Sequence, residues 1–298
     1  MRLFKFGFLI LAVSAANAYA DPFLGSAWNF SVLGAATVTN TGATTLNADL
    51  GVSPGTAVTG SGTITFSGAP PNNIITSTAI AAGGQSDATA AVTAITTLGG
   101  ASSLLSSDLT GQTLLATGAS GTVNGSAITV YDAGAASLDT GGVLTLNFQG
   151  LSNQTIAFVT SSTLITGSGS SVDILGGNST DRVDWVVGSS ATLGTTTSFV
   201  GNIIAKASVS LDTGATIGCG SVVAQTGAVT MEGNTISNTC TGLATTTGST
   251  TTPTPVTPVV GSGTITTSVP EGGSTFLYLC IYLVPAGALL AFRRRRSI

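Results

Sequence analysis

In the second half of the chain, small or apolar residues alternate with hydroxyl-bearing ones in short runs, and the runs return at a nearly constant distance. Ser171-Val172-Asp173-Ile174, Ser190-Ala191-Thr192-Leu193, Ser208-Val209-Ser210-Leu211 and Ala228-Val229-Thr230-Met231 begin at successive offsets of 19, 18 and 20. Alternation with period two marks a strand with one buried face, so Val209 and Leu211 are expected to point inward and Ser210 outward. A second column, Trp185-Val186-Val187, Ile203-Ile204-Ala205 and Val222-Val223-Ala224, follows at offsets of 18 and 19. Strands this closely spaced, with Gly between them, leave no room for intervening helices. They predict a solenoid in which each coil gives one strand to each of several parallel sheets.

A third column falls between these two: Thr197, Thr216 and Thr235, at offsets of 19 and 19, each followed within two residues by Phe199, Ile217 or Ile236. Outward Thr stacked in this way would form an array of hydroxyls and methyls, with rungs about 4.8 Å apart and same-face neighbours about 6.6 Å apart along a strand. Thr also favours exposed strands for its own sake, which accounts equally well for any single position. Toward the N-terminus, residues 74–98 lack Pro and hold an Ala-rich stretch with Ile80, Val92, Ile95 and Leu98. This predicts a helix within about 74–98, lying along the solenoid; Gly83-Gly84 and many Thr weigh against it, and a further pair of coils is the alternative. Strand patterns resume over residues 101–170, as in Val143-Leu144-Thr145-Leu146-Asn147-Phe148 and Thr155-Ile156-Ala157-Phe158-Val159.

Composition narrows the function. Only 7% of residues are charged, while 43% are hydrophobic and Gly alone numbers 40, so the polar surface is mostly hydroxyl. Of the eight basic residues only Arg182 and Lys206 lie between the two terminal segments, so the middle of the chain cannot track a phosphate backbone and no nucleic-acid partner is expected. There is no His, which removes the commonest general base and transition-metal ligand. The best carboxylate pair for a β-helical polysaccharide lyase or hydrolase is Asp181 and Asp184, beside Arg182 and Trp185. A turn capped by Asp before a buried Trp explains these residues more simply, and neither an enzyme nor a cofactor is expected. Cys280 lies in an apolar tail, leaving Cys219 and Cys240 in the folded part at an offset close to the coil repeat. In an oxidising compartment these two can pair and staple neighbouring coils, whereas a metal site would need more ligands.

The ends read as targeting segments. Residues 1–20 carry Arg2 and Lys5, an apolar run from Phe6 to Val13, and Ala18-Tyr19-Ala20 before Asp21: a secretory signal peptide, followed by a folded domain over 21–240. Residues 241–268 are rich in Thr, Ser, Gly and Pro and read as a solvated linker. Residues 269–298 hold Val269-Pro270-Glu271-Gly272-Gly273, an apolar stretch from Phe276 to Phe292, and Arg293 to Arg296. This tail is similar to the PEP-CTERM type of sorting signal, which implies an exosortase-type processing enzyme as a partner; Gly272 departs from the commonest form, which has a second Pro there. A plain membrane anchor is the alternative, with the arginines on the cytoplasmic side. Either reading places the protein outside the cytoplasm, at least transiently tethered to a membrane.

The folded part resembles the microbial ice-binding proteins. The resemblance covers roughly Leu24 to Cys240 and is strongest in three places. These are Leu24-Gly25-Ser26-Ala27 through Val38-Thr39-Asn40-Thr41-Gly42; Asp49-Leu50-Gly51-Val52-Ser53-Pro54-Gly55; and Gly188-Ser189-Ser190-Ala191-Thr192-Leu193-Gly194 through Phe199-Val200-Gly201-Asn202-Ile203-Ile204-Ala205. It implies a mainly β fold, a right-handed discontinuous β-solenoid with one α-helix packed alongside, in which the first and last parts of the chain meet and one flat face binds ice. A loose Thr-(Ala/Gly)-x-(Thr/Asn) motif on that face matches Thr41-Gly42-Ala43-Thr44, Thr56-Ala57-Val58-Thr59 and Thr213-Gly214-Ala215-Thr216. The candidate contacts are therefore Thr41, Thr44, Thr56, Thr59, Thr197, Thr213, Thr216 and Thr235, and the expected partner is the ice surface. The competing reading is an exported cell-surface adhesin or matrix solenoid.

Overall fold

The computed structural model describes residues 23–68, 73–98 and 103–240, so the signal-peptide, linker and sorting-tail assignments lie outside the described residues. The described chain is wound into coils that contribute to three mostly parallel sheets, called A, B and C here, of ten, seven and eight strands. In a typical coil, Asn202–Ala205 runs in sheet A, Val209–Leu211 in sheet B and Thr216–Gly218 in sheet C. Val209 and Leu211 are buried and Ser210 is not, as the alternation requires.

The coils do not stack in chain order. Phe30–Gly34, from the first coil, lies between Val222–Ala224, from the last, and Asp49–Val52, from the second. The same insertion appears in sheet B, where Thr37–Thr41 pairs with both Val229–Glu232 and Ala57–Thr59. It appears again in sheet C, where Thr44–Leu46 pairs with both Thr235–Ile236 and Ile64–Phe66. The discontinuity expected from the resemblance is thus present in every sheet.

Two coil lengths coexist. Trp185 lies opposite Ile203, and Ile203 opposite Val222, at offsets of 18 and 19. Toward the other end Val130 lies opposite Ala157 and Ile156 opposite Val183, each at an offset of 27. The longer coils carry most of the aromatic core: Tyr131, Phe158 and Trp185 stack in sequence, Phe158 and Trp185 nearly parallel at 3.9 Å between ring centroids, and Phe199 lies tilted against Trp185 at 5.0 Å. The Trp185 indole N–H donates to the Val200 carbonyl at 3.1 Å, so its one polar atom is satisfied.

The central strands of sheet A are buried on both faces. Outside it lies helix α1, Ala79–Leu98, whose buried residues Ala81, Gly84, Ala88, Ala91 and Ile95 recur at three and four positions. This stripe rests on Phe30, Leu33, Ile128, Val130, Ala157, Val186, Ile204 and Val223, forming a second core outside the solenoid's own. The contact is close because the stripe is small: a Cβ on Gly84 would stand 3.0 Å from both Leu33 Cδ2 and Phe30 Cε2. Ile80, one of the apolar residues that suggested the helix, is instead 60% exposed, whereas Ile95 is buried and Val92 and Leu98 pack against this core.

Candidate functional site

With sheet A covered, the outer faces of sheets B and C remain. Through the register of sheet B, one outward position per strand lines up as Ser137, Ile165, Thr192, Ser210, Thr230, Thr39 and Thr59. Thr163, Ser190, Ser208, Ala228, Thr37 and Ala57 stand two positions earlier on the same face. The columns as far as Ser137 contain no charged residue; exposed Asp108, bridged to Ser137, stands at the end of the first, and Asp139, Asp212, Glu232 and Lys206 lie at the rims. Seven rungs at about 4.8 Å give a strip roughly 29 Å long.

The matching column of sheet C is Val143, Ser171, Ser198, Thr216, Thr235, Thr45 and Thr65. Four consecutive Thr make its narrow end regular. Its wide end is mixed, since exposed Asp173 lies opposite Thr145, and Leu115 and Leu175, 41% and 39% exposed, flank Asn147. The last described residues also lie on this side. Thr216–Gly218 is followed by Cys219, whose disulfide to Cys240 ties down the last described residues, and Thr239 hydrogen-bonds Asn47 beside the strand Thr44–Leu46. The pairing of the two cysteines is as expected.

The sequence-derived candidates are thereby separated. Thr59 faces outward on sheet B, with exposed Thr41 at the end of its strand and exposed Thr56 just before another; Thr216 and Thr235 face outward on sheet C. Thr213 lies at the turn between the two sheets, where its hydroxyl donates to Glu232 Oε2 at 3.0 Å. Two candidates are corrected: Thr44 and Thr197 are buried and cannot touch an external surface. The Thr44 hydroxyl donates to Asn40 Oδ1 at 2.6 Å and accepts from the Asn234 backbone N–H at 3.1 Å. Thr197 donates to the Gly167 carbonyl at 3.2 Å and shares a hydrogen with Thr166 Oγ1 at 2.9 Å. Both belong to an internal polar ladder beneath the corner of sheets B and C. The outward column of sheet B, from Ser137 to Thr230, was missed because no loose motif marks it.

The acidic cluster has a structural role. Asp181 is buried and its carboxylate accepts from the backbone N–H groups of Gln154 and Asn178, each at 2.9 Å, which pins the turn before the strand Arg182–Val187 to the preceding coil. Burial, the larger effect, raises its pKa against those two bonds. Asp184 accepts from Asn202 Nδ2 at 2.8 Å within the stack. Neither carboxylate lies in an open groove. Among the described residues no group of three His, Cys, Asp or Glu is placed to hold a metal ion.

The family model described as ice-binding-like matches residues 32–237. The chain belongs to that family. An ice-binding protein of Nostoc sp. (strain HG1) is 39% identical over 239 residues, which is 78% of this chain and 82% of that protein. Two solved structures cover 72% of this ice-binding-like chain. The ice-binding protein of the Antarctic ascomycete Antarctomyces psychrotrophicus is 32% identical with a TM-score of 0.60 over 96% of its chain. That of an Antarctic biological consortium is 35% identical with a TM-score of 0.57 over 89% of its chain.

Proposed function

We propose that this protein adsorbs to ice through the outer face of sheet B, arresting growth and recrystallisation. Family membership supports ice as the partner, and the observation that selects the face is the pair of uncharged columns centred on Thr192, Ser210 and Thr230. Ice differs from solution only in the arrangement of its water. A binder therefore needs a flat surface whose hydration fits a lattice, and ionised side chains hold water in shells that ice cannot share. Small hydroxyl-bearing and methyl-bearing side chains on a stiff sheet meet that need and leave little to order on binding, where each loose side chain would cost about 0.5–1.5 kcal/mol. Bound molecules then force ice to advance as curved fronts between them, which lowers the local freezing point. No bond is made or broken, so the reading requires neither a catalytic group nor a cofactor.

The four-threonine run on sheet C favours a second reading, in which Thr65, Thr45, Thr235 and Thr216 make the contact. Asp173 in the same face and the last described residues beside it count against that reading. The relatives named above are described as ice-binding proteins, and no feature of the geometry favours an adhesin. The proposal extends to location: the signal peptide exports the chain, and the tail holds it at a membrane until an exosortase-type enzyme cuts near Pro270-Glu271. Recombinant residues 21–240, with the disulfide formed, should facet ice crystals and stop their growth where a heat-denatured control does not. Unshaped crystals at high protein concentration would overturn the function.

A further inference from the structure

The two ends of the stack differ. At one, the antiparallel strand Gly121–Val123 folds back on Ser126–Ala133. At the other, Ala57–Thr59 ends sheet B and Ile64–Phe66 ends sheet C, each with no further strand among the described residues. Val58, Ile64 and Phe66 from these strands pack on the core but remain only half-buried. An unpaired edge above a half-covered core is a template for another strand.

The chain carries a copy of that last coil. Residues 257–266 read Thr257-Pro258-Val259-Val260-Gly261-Ser262-Gly263-Thr264-Ile265-Thr266, identical at eight of ten positions to Thr56-Ala57-Val58-Thr59-Gly60-Ser61-Gly62-Thr63-Ile64-Thr65. The coil's actual stacked neighbour, Thr37–Thr45, matches it at only four of nine positions when aligned by register. The copy is therefore closer to the edge coil than adjoining coils are to each other. Shared Thr/Ser/Gly composition does not explain this, because the inward Val58 and Ile64 recur in place as Val259 and Ile265.

We propose that residues 257–266 dock on this edge of their own chain, adding one strand to sheet B and one to sheet C. Val259 and Ile265 would cover Val58 and Ile64. Gly60 takes φ +74°, and a Cβ there would stand 1.9 Å from the Asn40 carbonyl oxygen; the copy keeps glycine at this turn, as Gly261. Pro258 replaces Ala57 at the first strand position, where a missing N–H is tolerated on an outermost strand and helps end the stack. Reach is ample. From Cys240 to Pro255 the intervening linker extends to about 46 Å, whereas the new strand lies three rungs, about 14 Å, beyond Thr235–Ile236. Attachment to the same chain also supplies an effective concentration of order millimolar, which favours this edge over another molecule's. This inference does not rest on ice binding.

The test uses the full chain with Cys280→Ser, Thr65→Cys and Thr266→Cys, treated with dibromobimane, which fluoresces when it bridges neighbouring thiols. Bridged monomer is expected, with none in the Thr65→Cys, Val259→Cys control. Bridged dimer, or no bridging, overturns the proposal. In the full chain Ile265→Asp should raise amide hydrogen exchange in Ala57–Thr59 and Ile64–Phe66 at least tenfold; unchanged exchange would also overturn it.

Discussion

Ser210 stands on the fourth of seven strands in sheet B, so a side chain that rises from it holds both halves of the strip away from a flat surface. Each outward position occupies about 4.8 by 6.6 Å of the face, roughly 32 Å². At about 25 cal/mol per Å² that is roughly 0.8 kcal/mol per position. A Tyr at 210 that lifts its four nearest outward neighbours off the ice removes about 3 kcal/mol, or more than a hundredfold in the adsorption constant. Folding should be nearly unaffected, since an outward position on a half-exposed strand shifts stability by about 0.5 kcal/mol or less. Ser210→Tyr should therefore abolish recrystallisation inhibition at concentrations where the parent is active, with an unchanged melting temperature. Thr216→Tyr, the equivalent change on sheet C, should leave activity intact. Full activity in Ser210→Tyr with loss in Thr216→Tyr would refute the assignment of sheet B and move the site to the Thr column.

Three further outcomes follow from the packing. Gly84→Leu should cost about 1–3 kcal/mol by forcing the helix off Leu33 and Phe30, read as a lower melting temperature. Cys240→Ser opens the loop closed by the disulfide, a sequence separation of 21, and should cost about 3 kcal/mol in denaturant titration, with the same loss when the parent is reduced. Asp87 accepts from the Ser26 hydroxyl at 2.5 Å and its backbone N–H at 2.8 Å, and these bonds hold its pKa below the usual carboxylate range. That contact is fully present above the unfolded-state pKa, near pH 4, and is lost as pH falls through the depressed folded value. Asp181 runs oppositely: its raised pKa makes protonation favour the folded state. Melting temperature should thus hold from pH 7 to about pH 5 and fall below pH 4, with the fall smaller in Asp87→Ala.

The shorter coil period and the disulfide were legible from spacing, and the helix from a Pro-free, Ala-rich stretch. The face was not, and Thr197 shows why. Counting back from Thr216 by the offset that separates it from Thr235 reaches Thr197, but the register pairs Ser198 with Thr216 and Phe199 with Ile217, one position later. A slip of one residue moves a side chain to the other face of a strand. The parity was present in the sequence: Thr216 precedes its inward Ile217 by one residue and points out, whereas Thr197 precedes inward Phe199 by two and points in. The helix face was hidden for another reason. Only part of its buried stripe is marked by apolar residues: Ile95 is buried and Val92 and Leu98 pack against the same core, while Ala81, Gly84, Ala88 and Ala91 carry no apolar signal and Ile80 points away. The longer coils escaped because their extra residues are divided between longer strands, such as Gln154–Thr160 and Ser171–Leu175, and a longer turn before Arg182, which carries them off the shorter period.

Flatness on the outside is made by hydrogen bonds on the inside. Beneath the corner between sheets B and C, Asn40 Nδ2 donates to the Gly42 and Gly60 carbonyls at 3.1 and 3.2 Å, one in its own coil and one in the next. Asn234 Nδ2 donates to the Asp212 and Ala215 carbonyls at 2.9 and 3.0 Å, again reaching a neighbouring coil. Thr197 and Thr166 join two further coils. A buried amide left without these partners would cost about 1–3 kcal/mol, so each ladder member holds the turn of its neighbour in place. The short and the long coils consequently turn at the same corner, and Ser137, Thr192, Ser210, Thr230, Thr39 and Thr59 come into line although their coils share little sequence. The polar residues that looked like surface contacts, Thr44 and Thr197, contribute to an ice-binding face by being the part of the molecule that ice never meets.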